Sequence, residues 1–189
     1  MTTAFLVSTL VVAIAEIGDK TQLLSMLLAA RFRKPIPIIA GIAVATLANH
    51  AVAAWFGEWV RGLLGPDALR WAIGLSMIAI AAWALRPDRL DDRYGQKGRW
   101  GVFAVTCALF FLVEIGDKTQ IATVVLAAQY HALIAVVLGT TTGMLIANAP
   151  VVVLSERFAD RIPLKWVRLS AVAMFAALGV LALAGVGVT

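Results

Sequence analysis

Cysteine is almost missing from this chain. Its single copy, Cys107, lies within an apolar run, so there is no disulfide framework and no thiolate pair for a soft metal, and packing is its expected role. Charge is scarce as well. Of 189 residues only 14% are charged while 61% are hydrophobic, and an ordinary soluble domain is nearer a quarter charged, so a membrane protein is favoured. There is no His-Glu-x-x-His and no nucleophilic Ser or Cys arrangement, which argues against an enzyme. The apolar runs lack the period-two alternation of a membrane barrel, which leaves helices. The net charge of +5 sits mainly in short loops between apolar runs. That is the pattern of membrane orientation rather than of a nucleic-acid-binding face.

Residues 1–15 end in Ala13-Ile14-Ala15, which imitates a signal-peptidase site. No Lys or Arg precedes the apolar run, so the stretch is expected to be retained as the first part of a transmembrane helix. A spanning helix needs about 20 mainly apolar residues. Six are expected, at roughly 4–30, 36–57, 69–85, 101–128, 132–154 and 166–187. Trp55, Trp59, Trp71, Trp83, Trp100 and Trp166 fall near the expected helix ends, as an interfacial belt would place them.

Against this apolar background one heptapeptide occurs twice, letter for letter. Glu16-Ile17-Gly18-Asp19-Lys20-Thr21-Gln22 returns as Glu114-Ile115-Gly116-Asp117-Lys118-Thr119-Gln120, an offset of 98 residues. A charged residue in such a run is costly and marks a functional site by default. The offset also carries Gly41 to Gly139, Leu47 to Leu145, Glu58 to Glu156 and Arg70 to Arg168. The chain therefore divides into a first three-helix repeat, 1–85, a charged cytoplasmic linker, 86–100, and a second three-helix repeat, 101–189. Three helices per repeat is an odd number, so the second repeat enters the membrane from the opposite side, an inverted-repeat architecture.

Loop charge gives the orientation. Arg31, Arg33 and Lys34, then Arg86, Arg89, Arg93, Lys97 and Arg99, then Arg157, Arg161, Lys165 and Arg168 fall on one side. Only Arg61 and Arg70 fall on the other, with the uncharged turn Gln129-Tyr130-His131. Positive charge marks the cytoplasm, so both termini are expected outside it. Gly41-x-x-x-Ala45 and Gly139-x-x-x-Gly143 suit close helix contact, although small residues are common throughout this chain.

On a continuous helix, at about 100° per residue, Lys20 would lie about 40° to one side of Glu16 and Asp19 about 60° to the other. Gln22 extends this stripe, and Gly18 falls opposite, where it suits a tight contact or a local break. Two facing stripes would gather Glu16, Asp19, Glu114 and Asp117 with Lys20 and Lys118. Four carboxylates against two ammoniums leave two uncompensated negative charges, which a dry site does not tolerate. A divalent cation neutralises them, and so do two protons, so the two compete for the same groups. Oxygen donors without thiolate suit Mn²⁺, Ca²⁺ or Mg²⁺. The same residues also suit a buried ion-pair network that ties the repeats together. The lysines fit either reading, as structural partners or as built-in countercharges that help eject the metal.

Further candidates are Thr21, Gln22, Thr119 and Gln120 in the motifs, and Asn49, His50 and Asn148 in the second and fifth expected helices. The threonines could ligate through their hydroxyls or back-bond to a helix carbonyl. His50 could relay protons, bind metal or make a polar interhelical contact. The offset pairs Asn148 with His50 rather than with Asn49.

Paired E-x-G-D-K-[ST] motifs, complete here at Glu16, Gly18, Asp19, Lys20, Thr21 and at Glu114, Gly116, Asp117, Lys118, Thr119, resemble those of the GDT-type family of cation/proton exchangers. That family includes transmembrane protein 165, and bacterial members of this length look like manganese exporters of the MneA type. The resemblance implies Mn²⁺ transport in exchange for H⁺, with Ca²⁺ carried by some relatives, and implies that the motif acids form the metal site. It also implies a bacterial inner membrane. Export of an organic cation is a further alternative. No prosthetic group is expected.

Overall fold

The computed structural model describes residues 1–86, 101–158 and 164–186. The expectations for Trp100, for the linker beyond Arg86, and for the side chains of Glu156, Arg157, Arg161, Lys165 and Arg168 lie outside the described residues. Among the described residues there are eight helices and no strand, in an order that runs twice through the same series. The first series is α1 (Thr2–Glu16), α2 (Lys20–Phe32), α3 (Pro35–Leu63) and α4 (Pro66–Ala84). The second is α5 (Val102–Glu114), α6 (Lys118–Tyr130), α7 (Leu133–Phe158) and α8 (Leu164–Leu183).

The expected continuous helices 4–30 and 101–128 do not form. Each is two helices, broken inside the motif, and α1 and α2 meet at 71°. The cause is local. Gly18 (φ 82) and Gly116 (φ 76) take left-handed backbone angles, which glycine enters without the steric cost of a Cβ. The isoleucine before each glycine is extended, as is the aspartate after it. A helix cannot pass through three such residues. The Glu-to-Lys stripe drawn on one helix is therefore replaced by a turn that carries Glu at the end of one helix and Asp at the start of the next.

Among the described residues three helices are long and apolar enough to cross a membrane: Pro35–Leu63, Pro66–Ala84 and Leu133–Leu154. The bent pair α1 and α2 makes a fourth if it counts as one span, while Val102–Glu114 and Leu169–Leu183 are shorter apolar helices. Prolines open α3 and α4, where a missing N–H costs no helix bond. Pro150 lies inside α7, and the helix kinks one turn later at Leu154.

The halves interlock. α1 packs along α7 and α5 along α3, while α3 meets α7 and α4 meets α8. Glycines permit the first two contacts. A Cβ on Gly139 would lie 2.5 Å from the Phe5 carbonyl oxygen, and one on Gly143 would lie 2.5 Å from that of Thr9. At Gly41 it would meet the Thr106 Cβ at 2.8 Å. The small-residue pairs are thus contact surfaces. Arg33 and His131, at matching positions, end α2 and α6 in left-handed C-caps. Trp55, Trp59, Trp71, Trp83 and Trp166 are all exposed, as lipid- or interface-facing rings would be.

Candidate metal centre

The two breaks lie together in the interior. Glu16, Asp19, Glu114 and Asp117 are all buried, and each helix pair brings its acids there by the same local logic. α1 or α5 ends on the glutamate, and the turn is closed by the Asp19 N–H on the Glu16 carbonyl at 3.0 Å and the Asp117 N–H on that of Glu114 at 3.1 Å. The aspartate then stands as N-cap of the following helix, where a carboxylate meets unpaired N–H groups and the positive end of the helix dipole.

Glutamine fastens the break. The Gly18 N–H donates to Gln22 Oε1 at 2.8 Å, and the Gly116 N–H donates to Gln120 Oε1 at 2.7 Å. The remaining amide hydrogens reach the other half of the chain. Gln22 Nε2 donates to the Ala147 carbonyl at 3.1 Å, and Gln120 Nε2 to Asn49 Oδ1 at 2.8 Å. The threonines span the break too. Thr21 Oγ1 donates to Glu16 Oε2, and Thr119 Oγ1 approaches Glu114 Oε2 at 3.1 Å and Asp117 Oδ2 at 3.3 Å. Back-bonding to a helix carbonyl is seen instead at Thr9, Thr106, Thr123, Thr140 and Thr142.

The lysines cross over. Lys20 Nζ lies 3.0 Å from Asp117 Oδ1 and Lys118 Nζ lies 2.8 Å from Asp19 Oδ2, so each ammonium neutralises the aspartate of the other motif. Charges in such surroundings persist only when paired. Two buried carboxylate oxygens remain with neither a hydrogen bond nor an ion pair among the described residues, Oε1 of Glu16 and Oε1 of Glu114. Glu16, Asp19 and Asp117 each offer an oxygen, all within 4.8 Å of one another. Glu114 stands outside that trio, although Glu16, Asp117 and Lys20 act on it electrostatically. Three convergent oxygens from two helix pairs can hold a hard divalent cation, with Glu16 Oε1 the free acceptor.

The remaining candidates are placed more variously. Asn49 Nδ2 donates to the Phe111 carbonyl at 3.0 Å, so both ends of its amide are engaged. Asn148 Oδ1 accepts from Ser25 Oγ at 2.8 Å, and its Nδ2 donates to the Met144 carbonyl at 3.1 Å. His50 is fully buried with both ring nitrogens unpartnered, within electrostatic reach of Asp117. It makes no polar interhelical contact among the described residues. The matching partner would be Thr123, which occupies the place of Ser25 but donates to the Thr119 carbonyl instead. Sequence reasoning overlooked Ser25 and the carbonyls of Ala147 and Phe111. Ser25 could have been found one turn after Thr21, as a polar residue in an apolar run.

At one end of the bundle, Arg61 Nη1 donates to the Ala128 carbonyl at 2.8 Å and Glu58 Oε2 lies 2.7 Å from His131 Nδ1. The two loops poor in positive charge therefore meet.

The family described as "Divalent cation/proton antiporter GDT1" matches residues 4–92 and 102–187, nearly the whole chain. A Vibrio cholerae protein named "Putative manganese exporter" is 55% identical over 163 residues, covering 86% of this chain and 81% of that protein. "GDT1-like protein sll0615" of Synechocystis sp. is 30% identical over 152 residues, covering 70% of this chain and 73% of that protein. "GDT1-like protein 3" of Oryza sativa subsp. indica is 26% identical over 186 residues, covering 84% and 66%. No solved structure matches the chain.

Proposed function

The chain belongs to the divalent cation/proton antiporter family GDT1, a family of membrane transporters and not enzymes, and from that premise we propose that it exports Mn²⁺ from the cytoplasm in exchange for H⁺. The observation that carries this reading is the trio of buried carboxylates, Glu16, Asp19 and Asp117, drawn from both motifs with oxygens within 4.8 Å of one another. The printed name of the Vibrio cholerae relative supports Mn²⁺ as the cargo, as does an oxygen-only donor set.

In the proposed cycle Lys20 and Lys118 hold the aspartates in the metal-free state. An incoming Mn²⁺ takes the aspartate oxygens and Glu16 Oε1, and the ammoniums withdraw. Protons arriving from the other side occupy the same carboxylates, and the lysines re-pair as metal leaves. Cation and proton cannot both be held, which is the requirement for exchange. Glu114 is the fourth acid of the set. Thr21, Thr119, Gln22 and Gln120 keep the carboxylates and turns in place.

The frame of this reading is six spans in two inverted repeats, 1–85 and 101–189, joined by a cytoplasmic linker at 86–100. α1 with α2 and α5 with α6 are then broken spans that place helix ends at the midplane. Both termini face the non-cytoplasmic side of a bacterial inner membrane. The second reading is Ca²⁺/H⁺ exchange at the same residues, because carboxylate oxygens accept either ion.

The test is proton movement driven by Mn²⁺ in tight liposomes carrying the purified protein, with Ca²⁺ and Mg²⁺ in parallel. Flux with Mn²⁺ that disappears in Asp19→Asn is the expected result. Flux with Ca²⁺ alone would establish the second reading. An organic cation in place of every divalent would replace both, and no flux at all would leave the motifs as a structural ion-pair network.

A further inference from the structure

We infer that Asn49 is a positioning residue for the cation site, clamping both sides of the second break so that the Gly116–Lys118 turn is the fixed wall and the first motif is the part that yields. The inference deepens the transport reading, and it starts from a difference between two otherwise matching places.

Around the second break the hydrogen bonds form an unbroken course. The Gly116 N–H donates to Gln120 Oε1 at 2.7 Å, Gln120 Nε2 donates to Asn49 Oδ1 at 2.8 Å, and Asn49 Nδ2 donates to the Phe111 carbonyl at 3.0 Å. Phe111 belongs to the last turn of α5, where carbonyls run out of intrahelical partners. Gln120 belongs to the first turn of α6. One buried amide on α3 thus holds the helix before the break and the helix after it. Asn serves here because it is both donor and acceptor on one rigid plane.

The offset of 98 carries Asn49 to Ala147, Gln120 to Gln22 and Phe111 to Ala13. At the first break Gln22 makes the matching bond, but to the main-chain carbonyl of Ala147 at 3.1 Å. Alanine has no side-chain amide with which to reach back to the end of α1. Among the described residues the first break is therefore hydrogen-bonded to α7 from its α2 side alone, with α1 held there by packing, whereas the second is hydrogen-bonded to α3 from both sides. A site that must take up and release an ion needs one part that keeps its geometry and another that moves. Asn49 assigns these roles: Asp117 and Lys118 stay in register while Glu16 and Asp19 adjust.

The experiment converts Asn49 to the residue of its matching position, Asn49→Ala, in the full chain in lipid nanodiscs. Hydrogen–deuterium exchange is expected to rise at least tenfold in residues 115–120 and to stay within twofold in residues 17–22. In liposomes the KM for Mn²⁺ rises several-fold while the maximal rate changes less than twofold, a split that general loosening would not give. Asn49→Ser, which keeps one hydrogen-bonding group, gives the same two readouts should the alanine variant not accumulate. Unchanged exchange at 115–120, or an equal rise at both breaks, would overturn the inference. The exchange readout needs no transport, so it decides on Asn49 even where the exchanger reading fails.

Discussion

The two motif turns are made of the same seven residues and hold themselves in the same way, with glycine at positive φ, glutamine on the glycine N–H, and threonine facing the glutamate across the break. What surrounds them differs. Lys118 and its partner Asp19 are sealed, with 7% and 0% of their side chains exposed, while Lys20 is 21% exposed. Glu16 is one of the three carboxylates whose oxygens converge within 4.8 Å, and Glu114 is not. Identical sequence thus gives the same backbone turn, while side-chain detail differs: Asp19 accepts from the Lys20 N–H at 2.7 Å, whereas Asp117 makes no such cap bond.

The largest effects should come from the acids, and they should be unequal. Glu16→Gln is expected to reduce Mn²⁺-driven proton flux by more than about 100-fold, and Glu114→Gln by only about tenfold, as for a group beside the ligands. Equal losses would erase the distinction between the copies. Next come the lysines. Lys118→Met removes the ammonium that faces Asp19 Oδ2 in a buried site and should cost about 3–5 kcal/mol in thermal unfolding of the detergent-solubilised protein. Lys20→Met, where water reaches the ammonium, should cost roughly 1–3 kcal/mol. The reverse order would mean that burial is not what separates them.

Smaller changes separate backbone strain from crowding. Gly116→Ala places its methyl in open space, so only the left-handed conformation opposes it, about 1–2 kcal/mol. Gly139→Ala sets a methyl against the Phe5 carbonyl and should cost about 1–3 kcal/mol. That loss should loosen α1 from α7, and circular dichroism with a melting curve reads both. The smallest effect belongs to His131→Ala. It removes a contact to Glu58 made by a histidine that is 71% exposed, which should change stability by less than about 1 kcal/mol.

Much of this was legible in the sequence. The repeated heptapeptide marked the candidate site, because three charges in an apolar run have few uses, and its buried acids do lie together. The offset between copies anticipated two similar series of helices. The breaks were harder to see. A lone glycine is tolerated in a helix, and an apolar run shows no change of period where the helix stops. Yet the signal was present in Gly18-Asp19 and Gly116-Asp117. Glycine is the residue that ends helices and aspartate is one that starts them, so the pair marks a stop followed by a start. The exchange of lysines between motifs had no sequence signature at all. It arises from tertiary packing that sets the two breaks side by side, and within one motif Lys20 reads as the neighbour of Asp19. For the same reason the hydrogen bonds of Asn49 to both sides of the second break had no signature in the sequence.

The exchanged lysines also bear on how such a protein comes to be made. Each half carries the counterion that the other needs, so the first half leaves the ribosome with an aspartate whose partner is not yet synthesised. Its native ion pair can form only when residue 118 has entered the same bilayer. The two halves are therefore unequal in time though alike in sequence: the earlier must wait, and the later completes both. A chain severed between its halves would be recovered by supplying the pieces together, and by neither piece alone.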